Sequence, residues 1–221
     1  MPVWRKVCCA IRRRPPRSFP PALAGWHDPS LAPLSYDPEA ARAAFAAAGW
    51  TPGPDGILQN NGQRFAVDLL TFPDRPELPL AAAVLEQLLR EVGIDVTINA
   101  TNASEIPARH AAGTLQLAVF ARNFALVPDP VGTLMQDYAP TGDWGAMGWS
   151  SPALTALVGK MAAEGGSDHD KAQVAAIFQA ELPVLPIAWY QLTLAVSRSA
   201  TGIVADPYER TFGLKTADLV R

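Results

Sequence analysis

An α/β fold, a mixed sheet flanked by helices, is what this sequence predicts, on three observations. Strand-type and helix-type segments alternate at short spacing between Ile57 and Ala121, in the order β, α, β, α, β, which is the pattern of a layered sheet with a buried interior. The helices are punctuated at both ends, as in Asp37-Pro38 before an alanine-rich run and Gly49 after it. Asn61-Gly62 between two apolar runs marks a tight hairpin. With 221 residues, 49% of them hydrophobic, the chain has the material for one large or two small domains.

Taken in order, residues 1–17 form a head with six basic residues (Arg5, Lys6, Arg12, Arg13, Arg14, Arg17) and no acid. Because the whole chain carries −3 and this head +6, the remainder stands at −9. A secretory signal needs an apolar core of roughly 7–15 residues, and here Val7–Ile11 is cut short by Arg12. The head is expected to be disordered or a non-homologous start. Its adjacent cysteines, Cys8 and Cys9, lack metal or redox spacing, and no run approaches the roughly 18 apolar residues of a membrane-spanning helix. Residues 18–35, rich in proline, read as an extended connector. A domain is expected over 36–200 and a tail over 201–221.

Within the domain, Asp37 caps a helix that ends at Gly49, with Glu39 and Arg42 toward solvent and Ala41 and Phe45 toward a core. A hairpin follows, its strands near Ile57–Gln59 and Arg64–Thr71, ended by Pro73. Glu77–Val92 is a helix with Leu78, Val84, Leu85, Leu88 and Leu89 on one face, closed by Gly93. Ile94–Ala100 is a strand, a short helix runs from Asn102 or Ser104 to Gly113, and Leu115–Ala121 is the next strand. Then comes a long loop with a Pro-Asp-Pro turn and a short apolar segment. Ser151 and Pro152 open a helix to about Ala163, Ser167 or Asp168 opens another to Gln179 or Glu181, and Ile187–Val196 is a β run entered through Pro183 and Pro186.

The acidic body excludes the global basic field of a nucleic-acid binder. No nucleophile elbow, P-loop or dinucleotide fingerprint is present, and His27, His110 and His169 lack metal-ligand neighbours, so neither catalysis nor a cofactor is indicated. Binding chemistry remains. The loop between Arg122 and Ser151 is too long to be a bare connection and carries Trp144 and Trp149, which argues against disorder. Arg122, at the end of a strand, is suited to clamp a carboxylate bidentately; the alternative is a structural salt bridge to Asp129 or Asp137. Trp144, Trp149, Trp189 and Tyr190 are candidates for an aromatic pocket wall, or for core packing. Trp189 and Tyr190 would face opposite sides of their strand.

The segments YDPEAARAAFAAAGW, NNGQRFAVDLLTF and AAAVLEQLLREVGIDVTINATN, followed by RNFALVPDP, WSSPALTALV and ELPVLPIAWYQLTLAVSRSATGI, occur in an order that resembles the family 5 extracellular solute-binding proteins. These are the dipeptide, oligopeptide and nickel receptors of ABC importers. The resemblance covers about Ser18–Arg221 and is nearest to the nickel-type branch. It implies the C-terminal lobe of a type II periplasmic-binding-protein-like fold, non-enzymatic, working with membrane permease subunits in the periplasm or at the cell surface, although no export signal is visible and the chain as written would stay in the cytoplasm. It implies further that Arg122, Asn123, Trp144, Trp149 and Tyr190 line the cleft for a small solute: a peptide, a metal chelate or another anionic compound.

Two departures shape that expectation. Where the family's peptide receptors carry an aspartate for the ligand's ammonium, the matching residue is Leu126, and an unpaired buried charge costs several kcal/mol. No histidine lies between Arg122 and Ser151, which weighs against direct nickel ligation. Family chains close two lobes about a hinge, whereas this sequence matches one. The expectation is an apparently truncated lobe whose partner is a missing N-terminal lobe. The alternative is a structural or non-functional fragment that binds nothing alone.

Overall fold

A computed structural model describes residues 17–122, 129–139, 148–189, 193–206 and 211–220. They fall into two units, one of residues 32–121 and one of residues 17–31 with the described residues from 122 onward. The division lies inside the span expected to be one domain and passes immediately before Arg122.

In the first unit, α1 (Pro38–Ala47) begins as its cap residues dictate: the Asp37 carboxylate accepts the Ala40 N–H at 2.9 Å and Pro38 occupies the first turn. Arg42 and Glu39 are exposed and pair at 2.5 Å, while Phe45 turns inward to meet Phe65 edge-on. Strands β1 (Thr51–Pro52), β2 (Leu58–Asn60) and β3 (Gln63–Arg64) form an antiparallel sheet. Asn60 pairs with Gln63. That register leaves Asn61-Gly62 as a two-residue turn with φ of 49° and 78°, both positive as the predicted hairpin turn requires.

Strand β4 (Ala66–Thr71) is the centre of a parallel sheet, ordered β5–β4–β6, with β5 at Asp95–Ala100 and β6 at Leu117–Ala118. Parallel neighbours need crossovers; α2 (Glu77–Glu91) and α3 (Glu105–Ala111) supply them. Leu69, Leu70 and Thr71 of the central strand are buried, as are Leu78 and Ala82 of α2. The first unit thus holds two sheets, one antiparallel and one parallel, with helices beside them. The strand expected over Leu115–Ala121 is shorter because Leu115 N–H is drawn back to Arg109 C=O, leaving the ladder to start at Leu117.

The second unit holds α4 (Val131–Tyr138), α5 (Pro152–Glu164), α6 (Asp168–Glu181) and an antiparallel pair, β7 (Ala200–Thr201) and β8 (Asp218–Leu219). Ser151 caps α5 by accepting the Leu154 N–H, and Ser167 with Asp170 forms a reciprocal capping box on α6. The core is Phe19, Trp26, Leu134, Tyr138, Leu154, Val158 and Phe178 with their smaller neighbours. Two sequence expectations are corrected here. The proline-rich stretch is no extended connector: it turns on itself and buries Phe19, Leu23 and Trp26. The described residues of Ile187–Val196 form no strand. A β-type run becomes a strand only where a neighbour pairs its backbone, and among the described residues β7 and β8 of this unit pair only with each other.

Candidate functional site

At Arg122 the chain passes from the first unit back into the second. The Pro-Asp-Pro turn then opens α4, with the Asp129 carboxylate accepting the Val131 N–H at 2.9 Å. Val131, Leu134 and Tyr138 stand at i, i+3 and i+7, so the helix buries its apolar stripe and carries Asp137 into the interior beside Tyr138. There Asp137, with a side chain 0% exposed, accepts two hydrogen bonds from Arg122: Nε to Oδ2 at 2.5 Å and Nη2 to Oδ1 at 2.8 Å. This is the side-on, bidentate form of the guanidinium–carboxylate pair. Of the two partners left open by the sequence, Asp137 takes the arginine and Asp129 is spent on the turn.

Pairing does not exhaust the guanidinium. Five N–H donors are available to an arginine, and among the described residues Nη1 makes no hydrogen bond. The Arg122 side chain keeps 29% of its surface exposed. An arginine held by a fully buried carboxylate therefore keeps part of its side chain exposed. Burial pushes the phenol of Tyr138 far above its ordinary range; the negative charge of Asp137 adds to this and Arg122 opposes it. Tyr138 accordingly keeps its proton at all physiological pH values.

Trp149 precedes α5, and its indole N–H donates to Glu181 Oε2 at 3.0 Å. Its ring lies edge-on to Phe178 at a centroid distance of 6.4 Å, and Phe178 in turn holds Tyr138 at 4.7 Å and Phe19 at 5.4 Å. Arg122 and Trp149 are thus linked through Asp137, Tyr138 and Phe178, with Trp149 engaged by the core on one side. Asn123, Trp144, Tyr190 and Leu126 lie outside the described residues. Trp189 donates its indole N–H to Arg17 C=O at 2.9 Å and meets His27 edge-on, while His27 Nδ1 stands 2.8 Å from Phe19 C=O. His27 is a turn residue held by the core, and among the described residues no group of three potential metal ligands occurs.

Sequence reasoning overlooked Tyr138, Phe178 and Glu181. The helical spacing of Val131, Leu134 and Tyr138 is the signal that would have revealed α4 and its buried end. No comparable signal pairs Trp149 with Glu181, residues separated by 32 positions.

Comparison with known proteins gives this geometry a context. The model of the bacterial extracellular solute-binding proteins, family 5, matches residues 12–145. The nickel-binding periplasmic protein of Escherichia coli (strain K12) is 28% identical over 187 residues, which are 80% of this chain and 34% of that protein. Among solved structures, the oligopeptide-binding protein of Bacillus subtilis in complex with a nonapeptide superposes with a TM-score of 0.76 at 16% identity, over 99% of this chain and 45% of that one. NikA from Brucella suis in complex with Fe(III)-EDTA superposes with a TM-score of 0.64 at 20% identity, over 83% of this chain and 39% of that one. The chain therefore has the fold of these type II binding proteins and spans about a third of the length of the curated relative. Because the family model matches more than half of its residues, this chain belongs to the family 5 bacterial extracellular solute-binding proteins.

Proposed function

We propose that this chain acts as a solute-binding lobe in an ABC import system, taking up a small polar or anionic solute rather than transforming one. Arg122 is the anchor, held by Asp137 so that its outer edge faces the solute. The observation that carries this is the bidentate hold of a fully buried carboxylate on an arginine whose side chain stays partly exposed. Trp149 flanks the anchor through Phe178, and Asn123, Trp144 and Tyr190 complete the wall. Permease subunits and a second, N-terminal lobe are the partners, and the periplasm or cell surface is the setting. The family's name and the periplasmic relative support this reading, and no helix among the described residues is long and apolar enough to cross a membrane.

Isothermal titration calorimetry of the full chain against a nickel–histidine chelate, Fe(III)-EDTA, a nonapeptide and an oligosaccharide tests the assignment. At least one solute should bind, and Arg122→Ala should weaken it at least tenfold. If the variant leaves the affinity for every bound solute unchanged, the anchor role is wrong. A second reading, that the chain binds no solute by itself, is favoured by the exposure of Leu185, Leu214 and Leu219 at 71–72%; absence of binding across the panel would select it.

A further inference from the structure

We propose that the Asn61-Gly62 turn is a modification site, where the Asn61 side chain loses ammonia through an intramolecular imide and water leaves aspartate or isoaspartate in its place. The residues that make the hairpin turn are also the ones this chemistry needs. Asn61 and Gly62 both adopt positive φ, 49° and 78°, and both are exposed to water. Gly62 has no Cβ to shield its backbone nitrogen, and a Cβ built there would meet nothing within 4 Å, so the approach is open. The β2–β3 ladder runs through Asn60 and Gln63 and leaves Gly62 outside it. Its N–H makes no backbone hydrogen bond among the described residues. The other asparagines lack these conditions. Asn60, Asn99, Asn102 and Asn123 precede Asn61, Ala100, Ala103 and Phe124, each of which carries a Cβ. The Asn60 amide donates to Ala48 C=O at 3.5 Å, and the Asn102 side-chain oxygen accepts the Ser104 N–H and hydroxyl at 3.0 and 2.9 Å. Among the described residues, the Asn61 side chain is held by no such bond.

Ring closure requires Asn61 to rotate out of its turn conformation. The local sheet resists this weakly, because β1, β2 and β3 contain two, three and two residues and strands so short fray readily. Hydroxide removes the Gly62 amide proton, and the nitrogen attacks Asn61 Cγ. The N–Cγ bond forms, the Cγ–Nδ2 bond breaks, and ammonia departs with a proton taken from water. Water then opens the imide. Breaking the new N–Cγ bond gives aspartate, while breaking the original peptide bond gives isoaspartate, with the main chain routed through Cγ. Water is the only co-reactant, and nothing is oxidised or reduced. Either product places a new negative charge at the tip of the hairpin. The isoaspartyl form also adds a backbone atom to a two-residue turn, which is incompatible with the Asn60–Gln63 and Gln59–Arg64 register.

The test is peptide mapping by mass spectrometry of the full chain aged in mildly alkaline buffer, with and without urea. Fragment ions distinguish Asn60 from Asn61, and chromatography separates the aspartyl from the isoaspartyl product. In the folded chain Asn61 should convert at least tenfold faster than Asn60, Asn99, Asn102 or Asn123, with isoaspartate as the larger product. Gly62→Ala, which shields the attacking nitrogen, and Asn61→Gln, which lengthens the side chain, should each slow conversion at position 61 at least tenfold. Conversion of Asn61 no faster than that of the other asparagines overturns the proposal. So does conversion confined to the urea samples, because the folded turn would then protect the residue. Should Gly62→Ala disrupt the hairpin, Asn61→Gln and the ranking of the asparagines in the wild type decide.

Discussion

Arg122 is anchored by a partner whose burial makes the pair sensitive to the loss of either member. Removing the arginine strands an ionised Asp137 in the core, so Arg122→Met should destabilise the second unit by about 3 kcal/mol, the low end for a broken buried pair given the 29% exposure of the arginine. Urea denaturation followed by tryptophan fluorescence measures this, and Arg122→Met/Asp137→Leu should recover most of the loss. Asp170 provides a pH-dependent counterpart. The hydroxyl of Ser167, the ammonium of Lys160 at 3.0 Å and the Ser167 backbone N–H hold its pKa down, at about 2. Its folded-state pKa lies below the ordinary 3.8, so its contribution to stability is present above pH 3.8 and lost as the pH falls toward 2. Stability measured between pH 5 and pH 2 should fall less steeply in Asp170→Asn than in the wild type, with parallel curves ruling out the linkage. Of these groups the sequence showed Arg122 as a candidate anchor and Asp137 as a candidate partner, but could not choose between Asp137 and Asp129. The choice depends on which carboxylate α4 buries.

At the level of elements, turn and cap residues carried most of the information. Asp37-Pro38, Ser151-Pro152, Ser167 and Asn61-Gly62 each satisfy or direct the backbone locally, so their effect survives without tertiary context. Two glycines separate the contributions of conformation and space. A Cβ at Gly62 would meet nothing within 4 Å, so Gly62→Ala pays only for its φ of 78°, about 1 kcal/mol. A Cβ at Gly93 would lie 2.7 Å from Leu58 Cγ as well as requiring a φ of 91°, and Gly93→Ala should cost about 2–4 kcal/mol. Equal midpoints for the two variants in denaturant would contradict the packing of Gly93 on β2. What sequence patterns misjudged were elements defined by distant partners. Ile187–Val196 has strand composition, yet its described residues gain no neighbouring strand, and the proline-rich segment looks like a linker until Phe19 and Trp26 are seen packed beside Phe178.

Across the whole molecule, each unit has its own interior, a parallel sheet in one and a helical core around Phe178 in the other. Phe178→Ala removes the ring that Phe19, Tyr138 and Trp149 share and should cost about 3–5 kcal/mol, with loss of amide protection in α4–α6. The α/β class and the family were legible because alternating periodicity and ordered local blocks persist in the sequence. The boundary before Arg122 was not, since it depends on which residues pack together in space. The neighbourhood of Arg122 and α4 is proposed to receive a solute. Hydrogen–deuterium exchange of the full chain, with and without each of the nickel–histidine chelate, Fe(III)-EDTA, nonapeptide and oligosaccharide, tests it most directly. A bound solute should slow exchange in residues 129–139, and Arg122→Ala should abolish the effect. A solute that binds and protects other segments while leaving 129–139 unchanged would contradict it.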